Sequence, residues 1–169
     1  SGAATLAVTA MERNTRALIA ANEQAHELAI LATALPSGTY DNRPEQDVIM
    51  ITDDELMSGS GAQPVYTARK NGEVVASVLT VTAPDGYTGP IQLLVGISRD
   101  GTITGVRAIR HRETPGLGDR VDTDKSNWIR AFNGLALNAA ETNMALQRDG
   151  GGIDHLTGAT ITSRAVTNA

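Results

Sequence analysis

Apolar residues recur at three- and four-residue steps from about residue 9 to residue 34, at Leu18, Ala21, Ala25, Leu28, Ala29 and Ala32, with Glu12, Arg13, Arg16, Glu23 and Glu27 around the rest of the surface. That period predicts one long helix, stopped by Pro36-Ser37-Gly38. Its apolar stripe is narrow and alanine-rich. We expect it to pack along the body of the protein; the alternative is a rod that holds the body away from a membrane.

Past Gly38 the period shortens to two. Residues 47–52 read as a strand inside a mixed stretch from residue 40 to 61, and run into Asp53-Asp54-Glu55. Residues 65–69 and 74–81 alternate on either side of Asn71-Gly72, a strong signal for a two-residue hairpin turn. Residues 91–97 and 102–109 flank Asp100-Gly101 in the same manner. Two successive hairpins imply an antiparallel sheet. Residues 125–137 read as a further helix, capped by Ser126 or Asn127, with Trp128, Ile129 and Phe132 on its apolar side. No repeat, low-complexity tract or linker divides the 169 residues. The expected architecture is α+β in a single domain, with a helical segment 1–38 and a body 39–169.

Composition narrows the chemistry. A net charge of −5, with no basic stripe, excludes nucleic acid as a partner. The absence of cysteine excludes disulfides, thiol chemistry and Cys-ligated clusters, so a redox role would need an organic cofactor or a metal on other ligands. No apolar run approaches the roughly 20 residues that span a bilayer, and no signal peptide opens the chain. The carboxylates at 53–55 are contiguous and point apart, so they read as a solvated turn or helix start rather than a metal site. His26, His111 and His155 are scattered without a His-x-x-x-His pair, and no zinc site is expected. His26 reads as a surface residue and His111 as a hydrogen bonder that fixes its own loop. No Gly-x-Ser-x-Gly elbow surrounds Ser163, which argues against a hydrolase.

Three segments carry candidate chemistry. Near the C-terminus, Thr157-Gly158-Ala159-Thr160 places a threonine in a small-residue loop before a helix that Thr162 or Ser163 could cap. Free N–H groups and the positive dipole end make a helix start hospitable to a phosphate. Upstream, His111-Arg-Glu-Thr-Pro-Gly-Leu-Gly-Asp119 is a rigid loop directly after a strand. Its Glu113, Thr114 and Asp119 bring hydrogen-bonding groups, Gly118 keeps it low, and Leu117 could cover an apolar face. Between two strands, Ala83-Pro-Asp-Gly-Tyr-Thr-Gly-Pro-Ile91 is a tight connection from which Tyr87 or Thr88 could face a ligand.

Together these segments resemble the FMN-binding domain family, whose flavinylation motif reads Asp-x-x-Ser/Thr-Gly-Ala-Thr. Asp154 through Thr160 match it. The order Gly86-Tyr-Thr-Gly-Pro-Ile91, Leu93-Leu-Val-Gly-Ile97, His111 to Asp119, Asn127-Trp128 and Phe132-Asn-Gly134 is similar to the landmarks of the G subunit of Rnf electron-transport complexes. The resemblance covers roughly residues 65–169. The C subunit of the sodium-pumping NADH:quinone reductase shares the terminal motif, but His111, Glu113 and Asp119 fit the Rnf version better.

The resemblance implies FMN joined to Thr160 by a phosphoester bond, installed from FAD by a separate flavin transferase that recognises Asp154, Thr157, Gly158 and Ala159. It further implies flavin contacts at Thr157, Gly158 and Ala159 beside the attachment point, and at Ser163, Glu113, Thr114, Leu117, Gly118, and Tyr87 or Thr88. No separate substrate turnover is implied, only electron relay within a ferredoxin/NAD oxidoreductase complex that moves sodium ions or protons. The family domain lies on the periplasmic or extracellular side of the cytoplasmic membrane, held by one N-terminal anchor. An anchor ahead of Ser1 and a helix continuing past Ala169 are therefore expected in the parent protein. The competing expectation from another class is a non-redox periplasmic interaction module, in which the threonine loop only starts a helix.

Overall fold

Asn71 (φ 52°) and Gly72 (φ 82°) are both left-handed, as a two-residue type I′ turn demands. They join β2 (Gln63–Lys70) to β3 (Glu73–Ala83), with Val65 opposite Leu79 and Lys70 opposite Glu73. The second hairpin joins β4 (Ile91–Ser98) to β5 (Ile103–Arg110) through Asp100-Gly101. Ser98 and the amide of Thr102 both donate to the Asp100 carboxylate, which holds its pKa below the ordinary value. With β1 (Val48–Ile51) added at the β2 edge, the five strands form one antiparallel sheet in chain order. This computed structural model describes residues 2–52, 61–138 and 143–169, so the acidic run at 53–55 lies outside the described residues.

The alternation along the strands sends two apolar sets to opposite faces. Tyr66, Ala68, Ala76, Val78 and Leu94 meet Leu31, Ala34 and Leu35 of the first helix, α1 (Gly2–Ala34), and its exit. On the other face Ala83, Ile91, Leu93, Ile103 and Val106 bury against Val121, Ile129, Phe132 and the last helix, α2 (Thr160–Asn168). The fold is α+β, with helices on both sides of the sheet.

Helix α1 does not lie along the body as expected from its stripe. Only its last two turns pack; Met11, Leu18 and Ile19 are 75%, 59% and 52% exposed, and Ala29 and Ala32 face solvent. The reason is end-on docking. A Cβ on Gly96 would lie 2.4 Å from the Ala34 carbonyl oxygen, and one on Gly105 3.1 Å from the Ala34 Cα, so these two glycines let the helix end press onto the sheet. Thr104 donates to the Ala34 carbonyl (2.7 Å), while Arg107 donates to the Thr33 carbonyl (2.7 Å) and hydroxyl (3.1 Å). These bonds satisfy carbonyls that a helix C-terminus leaves open, and they put a cation at its negative end. Arg107 is only 8% exposed, and burial, helped by nearby Arg130, lowers its pKa. Higher on the helix, Glu27 accepts from Tyr66 (3.1 Å); burial first, then Glu27, push the phenol up to about 12.

The helix expected at 125–137 is replaced by a short 3₁₀ turn, Trp128–Phe132. Gly134 is left-handed (φ 83°), and the residues after it run extended beside the start of β5. Gly134 N donates to the Ile103 carbonyl (2.8 Å), Ile103 N to Leu135 (2.8 Å), and Leu137 N to Gly101 (2.9 Å). Strand-like pairing overrode helical spacing. Ser126 Oγ does accept the Trp128 amide (3.2 Å), and Trp128 meets Phe132 edge to face at 5.6 Å. Among the described residues no helix is long and apolar enough to cross a membrane, and no cluster of His, Asp and Glu could hold a metal ion.

Candidate functional site

The loop after β5 is built as two linked turns. Leu117 N donates to the Thr114 carbonyl (3.1 Å) around Pro115 and the left-handed Gly116 (φ 78°), the residue pattern of a type II turn. Asp119 N returns to the same carbonyl (3.3 Å). His111 braces the loop from behind: its Nδ1 accepts the Glu113 amide (3.1 Å), which leaves Nε2 as the donor to Asp122 (2.9 Å). Asp119 pairs with Lys125 at 2.8 Å; that hydrogen bond lowers the carboxyl's pKa and raises the ammonium's.

Glu113 joins three segments. Its carboxylate is 4% exposed. One oxygen accepts from the Thr88 amide (3.0 Å) and hydroxyl (3.1 Å), and the other accepts from the Thr162 hydroxyl on α2. A buried carboxylate is tolerable only with such partners. Gly118 lies hard against this clamp, since a Cβ there would come within 2.6 Å of Glu113 Oε2 and 2.8 Å of Thr162 Oγ1.

The terminal loop turns about Gly158 (φ 80°), with Ala159 N donating to the Leu156 carbonyl (2.9 Å). Ser163, fully buried, accepts the Leu156 amide (2.9 Å) and donates to the Ala159 carbonyl (3.0 Å). Helix α2 therefore starts at Thr160, earlier than caps at Thr162 or Ser163 would put it, and its N-cap Ala159 gives no side-chain bond. The amides of Thr160, Ile161 and Thr162 precede the first intrahelical bond, from Ser163 N to the Ala159 carbonyl (3.0 Å).

A cleft of about 440 Å³ opens where these segments meet. Glu113, Thr114, Gly118 and Ala159 line it together with Gly158, Thr160 and Thr162. Three apolar side chains at its rim are left in solvent: Tyr87 at 66%, Ile161 at 50% and Leu117 at 44% exposed. Of the residues singled out in the sequence, Thr88 turns away to Glu113 and Arg112, Ser163 is spent inside its loop, and Thr157 is exposed off the cleft lining. Asp154 is also off the lining. Its side chain is 76% exposed and accepts the His155 amide (2.8 Å), while its carbonyl takes the Trp128 indole N–H (2.7 Å).

Two contributors escaped the sequence reading. Ile161 follows the motif threonine and points outward from the first turn of α2. Arg148, 12 residues upstream of Thr160, donates from Nη1 to its Oγ1 at 3.1 Å. Neither carries a motif; only the approach of the 3₁₀ turn Gln147–Asp149 to α2 reveals the arginine. That approach is fixed by Arg164, which grips Asp149 through two 2.9 Å bonds and draws its carboxyl below the ordinary pKa range.

Residues 86–169 match the FMN-binding domain. They contain every segment of the cleft. The G subunit of the ion-translocating oxidoreductase complex from Pseudoalteromonas atlantica is 46% identical over 143 residues, 84% of this chain and 66% of its own length. The G subunits of the same name from Pseudomonas aeruginosa and Escherichia coli are 40% and 43% identical over 96% and 95% of this chain, and 76% and 77% of their own lengths. The chain belongs to this family of G subunits. Its FMN-binding domain comprises β4, β5, the clamp at Glu113 and α2, whereas α1 and β1–β3 all lie before residue 86, where that match begins.

Proposed function

We propose that this chain is the FMN-carrying electron relay of a membrane-bound, ion-translocating ferredoxin/NAD oxidoreductase complex, with the flavin held covalently through a phosphoester to Thr160. The domain works on the periplasmic or extracellular face, beside the other subunits of the complex. The observation that carries this reading is the cleft: a half-buried Thr160 hydroxyl beside a guanidinium, at the first residue of a nine-residue helix, below three exposed apolar side chains.

These residues fit the group. Tyr87, Leu117 and Ile161 offer apolar surface that a planar ring would cover, and Thr114 offers a hydroxyl for its polar edge. The open amides of α2 and Arg148 suit a phosphate at Thr160. Bound FMN supplies one-electron steps that no side chain of this cysteine-free chain provides. The chain's own contribution is to hold and orient the ring and to leave one edge open to a partner. Glu113 holds the walls together, and its charge disfavours extra negative charge nearby. Attachment needs outside help, because a threonine hydroxyl keeps its proton near neutral pH. A flavin transferase would use FAD: Thr160 Oγ1 forms the bond to phosphorus, the phosphoanhydride bond to AMP breaks, and the hydroxyl proton passes to the transferase's base. Asp154, exposed on the same loop, is available for that enzyme to recognise.

Co-expression with a flavin transferase, followed by intact mass and peptide mapping, tests the reading. The expected result is a mass gain of one FMN less one water on the peptide containing Thr160. Thr160→Ala should be colourless yet folded, having lost one hydrogen bond worth about 1 kcal/mol. An unmodified wild-type chain, with the transferase active on a known substrate, would sink the covalent relay.

A further inference from the structure

The geometry points to Arg148 as the residue that pairs with the phosphate esterified at Thr160, a role presented by a turn built to aim it. This rests on the covalent reading above and deepens it.

Arg148 donates to the very oxygen that would carry the phosphorus, at 3.1 Å. A phosphodiester formed there keeps one negative charge on oxygens two bonds beyond Oγ1, within the sweep of the same guanidinium fork. The turn that carries Arg148 has little freedom. Asp149 is held to Arg164 of α2 by the paired bonds already described, Asn143 donates to the Gly150 carbonyl (2.9 Å), and Leu146 bridges to Ile153. Gly151 is wedged so closely that a Cβ would come 1.9 Å from the Ala145 carbonyl oxygen.

Asp149 bonds to Arg164 and also feels the charge of Arg148 next to it, and among the described residues no carboxylate makes a salt bridge with Arg148. Its guanidinium faces the ester oxygen. Arg148 thus locks the phosphate end of the cofactor, so that ring orientation is set by the cleft rather than by a swinging tether.

The test uses wild type, Arg148→Ala and Arg148→Lys, each co-expressed with a flavin transferase and taken to completion. The readouts are the rate of mass gain, the ³¹P resonance of the ester, and the fluorescence anisotropy of the attached flavin. Arg148→Ala should flavinylate about tenfold more slowly, the effect of one lost charge-assisted hydrogen bond. It should also shift the ³¹P line and lower the anisotropy, with Arg148→Lys recovering most of each. A ³¹P line and anisotropy that match wild type in Arg148→Ala overturn the assignment, whatever the rate; so does failure of lysine to recover them. A wild-type chain that takes up no flavin overturns the covalent reading itself, and the Arg148 role falls with it. Arg148 is exposed on its turn, so a melting curve close to wild type is expected for both variants.

Discussion

Replacing Gly118 by alanine probes the clamp between the two halves of the site. Gly118 has an ordinary negative φ, so the backbone accepts a side chain; the difficulty is space. The added Cβ would lie 2.6 Å from Glu113 Oε2, 2.8 Å from Thr162 Oγ1 and 2.9 Å from Glu113 Cβ. Either the loop moves or the Glu113–Thr162 hydrogen bond opens. Overpacking costs about 1–3 kcal/mol, and a weakened bond to a buried carboxylate adds about 1.5 kcal/mol or more. A total of roughly 3 kcal/mol lowers the melting temperature of a chain this long by about 6–12 °C. Gly116→Ala is the contrasting variant. Nothing lies within 4 Å of its Cβ, and its left-handed φ alone costs about 1 kcal/mol. The assay is thermal unfolding of the flavin-free protein followed by circular dichroism, extended to a double-mutant cycle with Glu113→Ala. With the carboxylate gone the alanine should cost less, a coupling of about 1 kcal/mol or more. Gly118→Ala melting no lower than Gly116→Ala, or adding to Glu113→Ala without coupling, would refute the reasoning.

Two further outcomes are expected. Arg107→Met should destabilise the docked end of α1 by about 2 kcal/mol, read as faster amide exchange at residues 28–34 with α2 unchanged; uniform exchange throughout would contradict the capping role. Asp149 and Asp119 have pKa values depressed chiefly by the Arg164 and Lys125 hydrogen bonds. A depressed carboxyl adds stability that is present above its unfolded value, about pH 4, and lost as pH falls through the folded value. Urea midpoints from about pH 5 down to about pH 2 should therefore decline, and Asp149→Asn should flatten part of that decline; an unchanged slope would contradict it.

The sheet was legible because its signals are local. Asn71-Gly72 and Asp100-Gly101 set both hairpins, and alternation set which residues pair. The cleft was legible as three loops whose glycines and prolines constrain the backbone before any tertiary contact forms. What escaped depends on contacts distant in sequence. Gly134 through Leu137 pair with the strand start, and nothing in the spacing of Trp128, Ile129 and Phe132 announces it. Gly96 and Gly105 look like weak strand residues until the end of α1 occupies the space they leave. Ser163 looks like a helix cap, yet its hydroxyl is taken by Leu156 and Ala159. Arg148 is one arginine among others until Asp149 and Arg164 meet.

The way α1 joins the sheet has a directional consequence. Residues 11–22 are exposed, and neither buried cluster includes a residue before Leu28. This exposed stretch, unlike the docked end, fixes a bearing for the body without helping to hold it together. In such a rod each residue advances the axis by about 1.5 Å and turns it by about 100°. One residue added between Arg16 and Ala17 would leave the body folded, yet swing the open side of the cleft about a quarter-turn away from whatever grips the far end. Seven added residues would bring it round to within about 20° of its first bearing, roughly 10 Å further out. In this molecule azimuth and height are written in residue count, separately from stability.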